Sequence, residues 1–97
     1  MKETGIRPQV LKEIRDLAEK YEVKKVILFG SRARGDYKRV SDIDLAVTGG
    51  NIAAFSLDVD EETSTLLKYD IVNLDASVQQ ELLDSIQKEG IILYEKV

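Results

Sequence analysis

The 97-residue sequence has no cysteine, no histidine and no tryptophan, and only one proline. Without cysteine there is no disulfide framework, no thiol nucleophile and no thiolate metal site. Without histidine there is no imidazole base and no Ser-His-Asp triad. Zinc loses both of its favoured ligand types. No apolar run approaches the roughly 18 residues of a membrane span. The first eight residues, Met1 to Pro8, carry no apolar core of a signal peptide, so a cytoplasmic setting is expected. The chain is 43% apolar and 33% charged, which excludes disorder and fibrous architectures. Its length predicts a single domain over 1–97 with one core. A net charge of −4 argues against broad binding to nucleic acid backbones. What remains for chemistry is carboxylates, Lys, Arg, Tyr and hydroxyls. Any metal should be a hard one held by oxygen, magnesium or manganese.

Hydrophobic spacing predicts the elements. Val10, Leu11, Ile14, Leu17, Ala18 and Tyr21 form one stripe of a helix from about Pro8 to Tyr21. Val26-Ile27-Leu28-Phe29 reads as a buried strand ended by Gly30. Gly30 to Gly35 reads as a turn with room for one short helix. Asp42 to Val47 alternates: Ile43, Leu45 and Val47 face one way, Asp42, Asp44 and Ala46 the other. Asn51 is placed to cap a helix to about Glu62, burying Ile52, Phe55 and Val59. Tyr69 to Leu74 is a third strand. Ser77 is expected to cap a helix through Glu89 that buries Leu82, Leu83 and Ile86 and ends at Gly90. Ile91 to Tyr94 is a last strand. The order implies an α/β or α+β domain, with one small sheet flanked by helices.

Two short motifs carry the chemistry. Asp42 and Asp44, two apart on a strand, share a face and repel each other unless a cation sits across them. Magnesium is usually held by one or two carboxylates plus substrate phosphates, so the pair suits a metal–nucleotide complex. Gly30-Ser31 lies where a buried strand ends in a turn with room for a helix N-terminus. Gly permits close backbone approach there, and free N–H groups with a hydroxyl suit an anion. Arg32 and Arg34 add positive charge where phosphates would lie. Each motif alone is common. Gly-Ser, ten residues, then Asp-x-Asp has a chance frequency on the order of 10⁻³ in a chain this long.

Gly30-Ser31-Arg32-Ala33-Arg34-Gly35 followed by Ser41-Asp42-Ile43-Asp44-Leu45 resembles the signature of the minimal nucleotidyltransferases. These are small stand-alone members of the DNA polymerase β-like nucleotidyltransferase superfamily. Tyr69-Asp70-Ile71-Val72 resembles that family's third-carboxylate strand, and the ending from Ile86 to Tyr94 is also similar. The resemblance implies that Gly30 and Ser31 hold the phosphates of ATP. It implies that Asp42, Asp44 and Asp70 bind divalent metal, with Asp70 also activating an acceptor hydroxyl. Asp75 is the alternative third carboxylate, on the opposite face of the same stretch.

The resemblance implies transfer of AMP to a hydroxyl in one of two settings. In the first, the chain is the antitoxin of a HEPN ribonuclease and modifies a tyrosine on it. In the second, it is a catalytic subunit completed by a separate helical substrate-binding chain. Either partner would be encoded next door. The competing reading is a non-catalytic module that neutralises a helical partner by covering it. The acidic run Asp58, Asp60, Glu61, Glu62 is expected to be a solvated helix face. Tyr37, Lys38 and Arg39 are expected in a loop that Ser41 fixes by a backbone hydrogen bond.

Overall fold

The computed structural model describes residues 3–97. Its elements are α1 (Pro8–Lys20), β1 (Lys25–Phe29), α2 (Gly30–Arg34), β2 (Ile43–Thr48), α3 (Ile52–Glu62), β3 (Tyr69–Asn73), α4 (Gln80–Glu89) and β4 (Ile91–Glu95). The strands form one sheet in the order β3-β2-β1-β4. β1 runs antiparallel to β2 and to β4, whereas β2 and β3 are parallel. The sheet is therefore mixed, the small mixed sheet of a nucleotidyltransferase-like fold.

Alternation in the strands divides the core into two layers. Val26, Leu28, Ile43, Leu45 and Val47 pack against Val10, Ile14 and Ala18 of α1 and Phe55 and Val59 of α3. On the other face Phe29 and Ala46 pack against Ile86 of α4, with Ile27, Val72, Leu74 and Leu82 around them. Burying these side chains is the main stabilising term, at about 1.5–3 kcal/mol for each large aliphatic or aromatic group. Pro8 starts α1, where its missing N–H costs nothing. Asn51 caps α3 by accepting from the Ala54 N–H at 3.1 Å.

Two expectations are corrected. Ser77 does not cap α4, which begins at Gln80 after the extended residue Gln79. The Ala76 N–H donates to Asn73 O, so the chain leaves β3 through a turn before crossing to the α4 face. The apolar stripe that seats the helix begins only at Leu82. The acidic run is also not uniformly solvated. Asp58 is half-buried, accepts a short hydrogen bond from the Tyr21 hydroxyl and lies 4.0 Å from Lys20 Nζ. It ties α3 to α1, while neighbouring Leu57 faces solvent.

Candidate active site

β1 delivers the chain to Gly30, and β2 returns it past the same point. Gly30 has φ +74°, a conformation side-chain-bearing residues rarely adopt. A Cβ there would lie 3.0 Å from Cγ of Asp44 and closer still to Oδ2. Glycine is thus required twice, by the turn and by the approach of the Asp44 carboxylate. The five-residue α2 starts at Gly30 and ends at Gly35, whose left-handed conformation and N–H bond to Ser31 O stop the helix. The turn expected at Gly30-Ser31 is the first turn of this helix.

Asp44 pairs in register with Asp70 across the parallel β2–β3 ladder, and with Phe29 across the antiparallel β1–β2 ladder. The two carboxylates share the sheet face of Ala46 and Val72. Asp42 stands one residue before β2, outside the strand, and is exposed. Its charge nonetheless reaches Asp44. Burial, then the charges of Asp70 and Asp42, push the Asp44 carboxyl up to about 6. Arg34 and Arg32 oppose that rise. An open groove of about 460 Å³ adjoins Asp42, lined also by Val40, Leu66, Leu67 and Lys68.

The family model described as polymerase beta, nucleotidyltransferase matches residues 12–97. The chain belongs to this nucleotidyltransferase family.

A relative from Methanocaldococcus jannaschii, named "Putative protein adenylyltransferase MJ0604", is 40% identical over 90 residues. The alignment covers 80% of this chain and 87% of the relative. Among solved structures, one described as a toxin-antitoxin with AMP-PNP superposes with a TM-score of 0.70 at 26% identity. It covers 89% of this chain and 73% of that one. A mutant of the toxin-antitoxin MntA-HpeT superposes at 0.66 with 25% identity, covering 88% and 72%.

The nucleotidyltransferase assigns its two expected phosphate-site arginines to different tasks. Arg32 is only 1% exposed. Its guanidinium donates to the carbonyls of Thr4 (3.0 Å), Ser41 (3.0 Å) and Arg39 (3.4 Å), and stacks over the Tyr37 ring at 4.9 Å. This corrects the expectation of a phosphate ligand. A buried guanidinium satisfied by carbonyls holds the loop that carries Asp42. Ser41 assists by accepting the Lys38 N–H at 2.8 Å, the loop-fixing bond expected of it. Arg34 remains half-exposed. Its Nε lies 3.3 Å from Asp36, and its Nη1 lies 3.1 and 3.3 Å from the two oxygens of Glu89.

Asp75 belongs to the far end of β2. It accepts from the Thr48 hydroxyl at 2.5 Å and from the Gly49 N–H at 2.8 Å, which hold its carboxyl below the usual range. Of the two alternatives, Asp70 is the one beside Asp44. Among the described residues no three acidic side chains form a ready-made metal cage. The donor set still fits a hard divalent cation. Asp44 stands against the like charges of Asp70 and Asp42, all donors are oxygen, and phosphates commonly complete a magnesium site.

Proposed function

We propose that this nucleotidyltransferase is a metal-dependent protein adenylyltransferase. It moves AMP from ATP to a tyrosine hydroxyl on a helical, HEPN-type partner, and so acts as the antitoxin of a pair. The observation that carries the reading is the register of Asp44 opposite Asp70 beside the Gly30-Ser31 turn. The name of the 40%-identical relative supports adenylyl transfer to protein. The toxin-antitoxin structure with AMP-PNP supports an adenine nucleotide and a protein partner. A cytoplasmic setting agrees with the finding that no described helix is long and apolar enough to cross a membrane.

In this reading the Gly30-Ser31 turn and Arg34 bind the β- and γ-phosphates. Asp42, Asp44 and Asp70 would hold magnesium or manganese, which neutralises phosphate charge and makes the acceptor hydroxyl more acidic. In-line displacement puts the attacking oxygen opposite the leaving pyrophosphate. With the phosphates on the β1–α2 side, the acceptor enters from the β3 side. There Asp70 and the groove of Val40, Leu66, Leu67 and Lys68 adjoin the site. The acceptor oxygen forms its bond to the α-phosphorus as the bond to pyrophosphate breaks, and its proton passes to Asp70.

The test is incubation with α-labelled ATP, magnesium and the purified product of the adjacent gene. Label on a tyrosine of that product is expected. Tight binding of ATP and of the partner, with no label transferred, would overturn transfer and leave a binding module.

A further inference from the structure

Glu89 is the last residue of α4 and lies 59 positions from Gly30 in the sequence. The fold nevertheless brings its carboxylate to the start of α2. Oε1 of Glu89 accepts the Gly30 N–H at 3.3 Å, and both its oxygens accept from Nη1 of Arg34. The Glu89 side chain is 21% exposed, against 46% for Arg34 and 65% for Asp36. The second carboxylate on Arg34, Asp36, is thus a solvent-facing partner two residues away in sequence, and such pairs hold a geometry weakly. Glu89 is the shielded partner, anchored in turn by α4 through buried Ile86. Gly30 therefore stands between two acidic groups, with Glu89 at its N–H and Asp44 against its Cα.

We propose that Glu89 is a positioning residue for the triphosphate: it fixes the Arg34 guanidinium and the Gly30 amide at the edge of the phosphate site. The proposal rests on the reading of the Gly30–Arg34 segment as the phosphate-holding turn. An arginine on a flexible stem loses rotamer entropy when it clamps an anion, and a partner that holds it beforehand removes part of that cost. Two of the guanidinium nitrogens, Nε and Nη1, are engaged by carboxylates, and Nη2 has no partner among the described residues. That leaves Nη2 as the donor available to a phosphate oxygen. The α4–β4 end of the chain is thereby tied to nucleotide recognition.

The experiment titrates ATP and AMP, each with magnesium, into the full chain and into Glu89→Gln, Arg34→Gln and the double variant. Glu89→Gln keeps the size and one acceptor but removes the charge. It is expected to weaken ATP roughly tenfold, the scale of one charge-assisted hydrogen bond, and to leave AMP unchanged, since AMP lacks the outer phosphates. Arg34→Gln should do the same, and the double variant should be no worse than Arg34→Gln alone. Glu89→Asp, which keeps the charge and shortens the reach, substitutes if Glu89→Gln does not fold, with the same selective loss of ATP. Equal losses for ATP and AMP would make the contact merely structural and overturn the proposal. So would unchanged or tighter binding of ATP, the latter because Glu89 would then compete with phosphate. Failure of the wild-type chain to bind ATP at all would instead remove the proposed function, and this role with it.

Discussion

Gly30 and Asp44 are in contact across the β1–β2 ladder, with the Asp44 carboxylate filling the space that any side chain on Gly30 would need. The glycine also has a positive φ. Gly30→Ala should lose about 1–2 kcal/mol from the dihedral alone, and more from crowding against Asp44. Asp44→Ala in the same chain should recover the crowding part, so the two changes should be non-additive by about 0.5–3 kcal/mol. Urea unfolding of the two single variants and the double variant measures this. Strict additivity would show that Asp44 moves aside freely.

Asp44 should make stability depend on pH with a definite sign. Its carboxyl is raised from 3.8 to about 6 in the folded chain, mainly by burial and then by Asp70 and Asp42. Between those values the folded state holds the proton more firmly than the unfolded state, so stability falls as pH rises from about 4 to 6. Asp44→Asn should therefore stabilise the metal-free protein at pH 7, by about 1–2 kcal/mol once solvent screening is allowed for. The gain should vanish near pH 4. Magnesium and ATP together should reverse the order at pH 7. Thermal melts across pH, with and without Mg-ATP, give both comparisons.

Asp70→Asn and Asp75→Asn should separate cleanly. Asp70→Asn should reduce label transfer by about 10²–10⁴-fold, the range for loss of a general base, while the melting temperature holds or rises as repulsion with Asp44 is relieved. Asp75→Asn should leave transfer intact and lower stability at neutral pH. Its carboxyl is held low by Thr48 and Gly49, so that stabilisation is present at neutral pH and fades in acid as the group protonates. The same melts and label-transfer assay decide it; loss of transfer in Asp75→Asn would move the third carboxylate.

Arg32→Lys should behave as a core lesion. A lysine cannot reach three carbonyls on two segments, nor stack on Tyr37 as the planar guanidinium does. Breaking such a buried network costs about 2–4 kcal/mol. Denaturant unfolding should show the loss, and ATP affinity at low temperature, where the variant is still folded, should fall through disorder around Asp42. A variant as stable as wild type would show that the carbonyls find water instead.

The strands and α1 were legible because their periodicity is local. Val26 to Phe29 is a continuous apolar run, Ile43 to Val47 alternates, and Val10, Ile14 and Ala18 recur at helical spacing, so each pattern fixes its own buried face. The Gly-Ser and Asp-x-Asp spacing likewise sufficed to single out Gly30, Asp42 and Asp44. What lay beyond it were matters of distance across the fold. Whether Asp70 or Asp75 meets Asp44 depends on the parallel β2–β3 register, which no local pattern encodes. Arg32 and Arg34 are alike on paper and stand two apart on one short helix. Only packing sends the first to buried carbonyls and leaves the second half-exposed against Glu89, because a guanidinium leaves water only where acceptors from several segments converge. Asp58 left the solvated face expected of the acidic run for the same reason, since the Tyr21 hydroxyl supplied a partner that composition could not foresee.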